Sequence, residues 1–114
     1  MKYTPSWLAT QINPIIGYGS INGVYDMNGN LSIWIEFAKS TTYGAGSWIL
    51  TLPMDNFLQD AKGIVAFYDK YGELIKSDSA HIENNKIIIK YPYLPSLRTG
   101  NRMFIGFGDA SYAL

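Results

Sequence analysis

The strongest constraint in this sequence is a period of two. From Leu31 to Phe37 the apolar residues Leu31, Ile33, Ile35 and Phe37 alternate with Ser32, Trp34 and Glu36. In an extended chain, alternate side chains point to opposite faces, so this pattern predicts a strand with one face in the core and the other toward solvent or a partner. Met27-Asn28-Gly29-Asn30 precedes it, and an Asn-Gly pair supplies the positive φ angles of a tight hairpin. Gly19 to Tyr25 is the partner strand.

Similar segments recur down the chain. Trp48, Leu50 and Leu52 alternate with Ser47, Ile49 and Thr51 until Pro53 stops the strand. Gly63 to Asp69 is a further strand, and Asp69-Lys70-Tyr71-Gly72 turns it into Glu73 to Lys76. Ala80 to Glu83 and Lys86 to Tyr91 flank Asn84-Asn85, another tight-turn pair. Ala38 to Gly46 reads as a loop, as does the stretch from Pro92 through Pro95 to Asn101, and Arg102 to Phe107 is the last strand. Met54 to Lys62 is the one segment with a helical turn or two in it, with Asp55 as N-cap. About seven to nine short strands at this spacing predict an all-β, antiparallel β-sandwich of jelly-roll type. A length of 114 residues fits one such domain, 1–114.

Composition narrows the function. Nine basic and nine acidic residues cancel, and no Lys/Arg cluster forms, so the electrostatic footprint of nucleic-acid binding is missing. Apolar runs such as Ile87-Ile88-Ile89 are far too short to enter a membrane, and the N-terminus has no signal-peptide pattern. Without cysteine there are no disulfides or thiolate metal sites, which points to folding in the cytosol. Charged residues are only 16% of the chain, against about 25% in an average globular protein. Some apolar surface is therefore expected to meet a partner.

Catalytic and metal chemistry find little support. His81 is the single histidine and reads as an ordinary strand residue; no Gly-x-Ser-x-Gly elbow frames any serine. The carboxylates are dispersed, mostly at turns, and no pair stands out as a glycosidase couple. A threefold axis through His81 and a hydrolase built on an unrecognised carboxylate pair are remote alternatives. The expectation is no enzyme, no metal and no cofactor.

Aromatics remain: 15% of the chain, with nine Tyr, five Phe and three Trp. Trp34 faces away from the apolar side of its strand, and Tyr71, Tyr91 and Tyr93 lie in or beside loops. Flat amphipathic rings suit sugars and protein partners, so these four are the candidate binding residues. The competing reading buries them in the second layer of a sandwich.

Two longer stretches have a distinct order. Thr4-Pro5-Ser6-Trp7 leads to Pro14-Ile15-Ile16-Gly17-Tyr18-Gly19-Ser20-Ile21-Asn22-Gly23-Val24-Tyr25. After the hydrophobic strand comes Thr41-Thr42-Tyr43-Gly44-Ala45-Gly46-Ser47-Trp48-Ile49-Leu50-Thr51-Leu52-Pro53. This order resembles a β-rich module of bacteriophage tail, fibre and related virion-surface proteins. The likeness covers roughly the first half of the chain and Gly100 to Gly106; Met54 to Thr99 has no counterpart. The ending departs from the pattern, with Gly106-Phe107-Gly108-Asp109 where Gly-x-Tyr is more usual.

The resemblance implies a virion structural protein of tail-fibre, head-fibre or decoration type. It further implies a homotrimer that touches other virion proteins and takes part in host-surface attachment after folding in the host cytoplasm. It implies structural roles for the motif residues, with the glycines allowing close packing and Trp7, Trp48 and Tyr25 anchoring the core. A host cell-surface glycan is the candidate ligand. A carbohydrate-binding module with no virion role is the alternative.

Overall fold

A computed structural model describes residues 2–8, 10–11, 19–37, 41–43, 46–52, 58, 62–91, 94–97 and 100–109, apart from the side chains of 41–48 and 90–97. Of the segment Met54 to Lys62, where a helical turn is expected, only Leu58 and Lys62 are among these residues, and Tyr93 lies outside them.

Ten strands occur among the described residues. In chain order they are β1 (Lys2–Tyr3), β2 (Ile21–Asp26), β3 (Leu31–Glu36), β4 (Thr41–Tyr43) and β5 (Gly46–Thr51). There follow β6 (Gly63–Tyr68), β7 (Leu74–Glu83), β8 (Lys86–Tyr91), β9 (Leu94–Leu97) and β10 (Arg102–Phe107). Eight hydrogen-bond into one sheet in the order β1-β2-β3-β10-β6-β7-β8-β5, every pair antiparallel, and β4 and β9 form a separate two-stranded sheet.

The all-β, antiparallel expectation therefore holds, but the sandwich does not. A sandwich or jelly roll divides its strands between two facing sheets. Here the ladder is continuous, because β10 inserts between β3 and β6 and joins the two halves of the chain edge to edge. Tyr25 near one end of the sheet and Leu50 at the other belong to the same buried cluster. Strands spaced about 4.8 Å apart place those ends too far from each other in a flat sheet, so the sheet is curled into an open half-barrel.

The concave face is the core. Leu31, Ile33 and Ile35 of β3 are fully buried with Met103, Ile105 and Phe107 of β10 and Val65 and Phe67 of β6. Leu8, which ends a 3₁₀ turn at Ser6–Leu8, and Leu58 are buried with them. Burying each such side chain contributes about 1.5–3 kcal/mol. Across the mouth, the Gln11 side-chain amide donates to the Thr51 carbonyl (2.9 Å) and accepts from the Thr51 N–H (2.7 Å). It thereby occupies the outer edge of β5 as a strand would.

The motif residues take structural places where they are described. Tyr25 is buried, and Trp7 packs on it edge-to-face with ring centroids 5.9 Å apart. A side chain at Gly23 would run into the Ser32 carbonyl oxygen and the Ile33 Cα, so β2 lies against β3 at a distance only glycine permits.

Both tight turns form. Asn84 and Asn85 adopt φ of 49° and 62°, the left-handed pair of a two-residue hairpin. In the β2–β3 hairpin only Gly29 takes positive φ, and the Asp26 carboxylate does the rest. It accepts from the Asn28 and Asn30 backbone N–H groups (2.9 and 3.2 Å) and from the Asn30 side-chain amide (3.0 Å). The Asn30 amide oxygen in turn accepts from the Asp109 N–H, fastening the hairpin to the end of β10.

Donation from the Asn30 side chain, with the two backbone N–H groups, holds the Asp26 carboxyl below its ordinary value of 3.8 despite partial desolvation. A carboxyl with a depressed folded pKa stabilises above its unfolded pKa and loses that contribution as pH falls through the folded value. Asp26→Ala is therefore expected to lower Tm at pH 7, with the gap to wild type closing below about pH 3.8. Circular-dichroism melts at the two pH values check this; an equal gap at both would refute it.

Two expected breaks are absent. Glu73 to Lys76 and Ala80 to Glu83 are not separate strands: β7 runs unbroken through Ser77-Asp78-Ser79 because β6 pairs with it from Leu74 to Ala80. The expected loops at 38–46 and 92–101 contain β4 and β9, which pair with each other. From Leu74 to Ser79 the other edge of β7 is unpaired among the described residues, and these residues are exposed. A register shift beside Phe67 and the charged Lys76 and Asp78 blunt that edge against strand addition.

Candidate functional site

The convex face of the half-barrel is where alternation sends the residues that the core rejects. Along one row of the sheet, Asn22 of β2, Trp34 of β3, Phe104 of β10 and Ala66 of β6 lie side by side. In the next row Glu36, Arg102 and Tyr68 are neighbours. Trp34 and Tyr68 reach toward each other across β10 until their ring centroids are 5.3 Å apart, and Trp34 also meets Phe104 at 4.9 Å. Phe104 between them is only 2% exposed, whereas Trp34 is 42% exposed. Tyr68 stands at the register shift between β6 and β7, an irregularity of the kind that re-aims a side chain.

Beside Trp34 lies a shallow depression of about 280 Å³ lined by Ser20, Asn22, Glu36 and Arg102. Its polar groups are largely unspent. Among the described residues no hydrogen bond engages the Trp34 indole N–H, the Tyr68 hydroxyl, the Asn22 side-chain amide or the Ser20 hydroxyl. Arg102 and Glu36 approach only to 3.9 Å, both half-exposed. An apolar platform rimmed by unused donors and acceptors suits a ligand with one flat apolar face and a polar edge.

A second depression of about 230 Å³, lined by Lys2, Tyr25, Asp26, Asn30 and Asp109 among others, is different. Asp26 and Asn30 already bond to each other and to nearby backbone groups, so they build the turn. No cluster of three or more His, Asp or Glu residues with metal-binding geometry occurs among the described residues. His81 is an exposed strand residue with Nε2 3.7 Å from Glu83.

Of the four candidates from the sequence, Trp34 is at the centre of the convex site, on the sheet's outer face. Tyr71 is 80% exposed in the β6–β7 turn, its ring beneath the Lys70 ammonium at 5.2 Å, and it is not part of the Trp34 group. Tyr91 ends β8, but its side chain is outside the described set, as is the whole of Tyr93. The structure gathers Phe104, Tyr68, Asn22, Glu36 and Arg102 around Trp34 instead. Alternation within Arg102–Phe107 does put Phe104 opposite Met103 and Ile105, but it cannot tell which strand lies alongside. No protein-family model, curated protein or solved structure matches this chain.

Proposed function

We propose that the chain is a non-catalytic attachment module that binds carbohydrate through its convex face. The observation that carries this reading is the half-exposed Trp34 ring, packed at a tilt against Phe104 and Tyr68 beside polar groups that have no hydrogen-bond partner among the described residues. A pyranose has the matching form, with axial C–H groups on one face and hydroxyls round its edge. The aromatic face takes the former, and the Asn22, Ser20 and Tyr68 groups take the latter.

The motif order, by its resemblance to phage virion-surface modules, supports reading the module as a tail-fibre, head-fibre or decoration-type protein that assembles as a homotrimer and engages a host-surface glycan. The convex site supports the attachment part of that reading, since it faces outward and is not used by the core. A carbohydrate-binding module outside any virion would use the same site. Mass in solution separates the two: a stable trimer favours the virion protein and a monomer the isolated module.

Titration with host wall and capsular oligosaccharides at millimolar concentration, followed by tryptophan fluorescence and calorimetry, tests the binding. Trp34→Ala is expected to weaken it at least about 30-fold, the loss typical of a central aromatic anchor, while leaving the fold intact. Flat titrations across the panel, or full binding by the variant, would sink the carbohydrate reading.

A further inference from the structure

The depression beside Trp34 has a charge arrangement that selects among sugars. Its two charged residues, Glu36 and Arg102, face each other directly across the β3–β10 ladder and project from the same face as Trp34. At 3.9 Å between Nε and Oε2 they are close enough to cancel each other's field, yet too far apart to satisfy each other's hydrogen bonding. The guanidinium keeps its donors and the carboxylate its lone pairs, both half-exposed and in the pair of the ladder two residues along from Trp34 and Phe104.

Resting on the carbohydrate reading above, we infer that this pair reads two adjacent hydroxyls of an uncharged pyranose stacked on Trp34, and that Glu36 turns acidic sugars away. One hydroxyl donates to the Glu36 carboxylate and its neighbour accepts from Arg102, so the two charges are bridged by the ligand. A sugar carboxylate gains Arg102 but meets the Glu36 charge beside it, and the attraction is offset by repulsion of the same order. The excluding element is thus built into the site alongside the attracting one.

The test compares a neutral glucose disaccharide with its glucuronic-acid counterpart, by calorimetry, on wild type, Glu36→Gln and Arg102→Gln. Wild type is expected to prefer the neutral sugar by about tenfold or more. Glu36→Gln keeps the shape, removes the negative charge and leaves Arg102 unopposed. It should bind the acidic sugar about tenfold more tightly than wild type does, in a salt-sensitive way, while the neutral sugar weakens. Arg102→Gln should weaken the neutral sugar and leave the acidic one rejected. Equal binding of the two sugars by wild type, or a preference that Glu36→Gln does not shift, would overturn the selectivity while leaving the carbohydrate site standing. Silence toward both sugars in all three proteins would overturn the site and the selectivity together.

Discussion

Phe107→Ala is expected to cost about 3–5 kcal/mol, a large part of the total stability of about 5–15 kcal/mol of a domain of ordinary size. Phe107 is fully buried on the concave face, flanked by Leu31 of β3 and Gly63 of β6. Its ring lies over Gly63, where an added Cβ would run into three of its ring carbons. That geometry predicts a coupling. Gly63→Ala alone overpacks the site, at about 1–3 kcal/mol. Paired with Phe107→Leu, which withdraws the ring, the alanine is tolerated, and the double variant should be more stable than the sum of the singles predicts by about 0.5–3 kcal/mol. Urea denaturation of the four proteins measures this. Additivity to within about 0.3–0.5 kcal/mol would show that the ring and the glycine are independent.

Phe104→Ala is expected to reach from stability into function. Although it lies on the convex face, Phe104 is as buried as a core residue, and the Trp34 ring, itself against Tyr68, packs on it. Truncation should cost about 3 kcal/mol, the low end for a buried Phe because solvent reaches the vacated space from outside. It also removes the support under Trp34. The folded fraction should show red-shifted tryptophan emission and weaker sugar binding, whereas Phe104→Leu retains most of the stability and part of the support. Normal emission and binding in a destabilised Phe104→Ala protein would mean that Trp34 is held by other contacts.

Much of the local structure was legible because local rules decide it. Alternation from Leu31 to Glu36 separated the two faces of β3 correctly, since a strand with one buried face has no freedom of register. Asn84-Asn85 gave the β7–β8 turn because asparagine tolerates the left-handed region better than other residues with a side chain. Ser77-Asp78-Ser79 misled for the converse reason: these are turn formers by their own preference, and pairing with β6 overrides them.

The site was legible only in its first residue. Trp34 follows from the pattern of its own strand. Tyr68, Phe104, Glu36 and Arg102 become its neighbours only because β10, from the far end of the chain, pairs with both β3 and β6. Tyr71 was a reasonable candidate by exposure, but exposure alone does not bring residues together.

The sequence by itself determined most strands of the main sheet, the two hairpin turns and which face of β3 is apolar, because period-two patterning and turn chemistry act over a few residues. Only the tertiary structure decided that those strands form one curled sheet with an aromatic platform on its convex side. That outcome rests on contacts between residues far apart in the chain, and the free energy of pairing one apolar edge with another carries no mark in either segment alone.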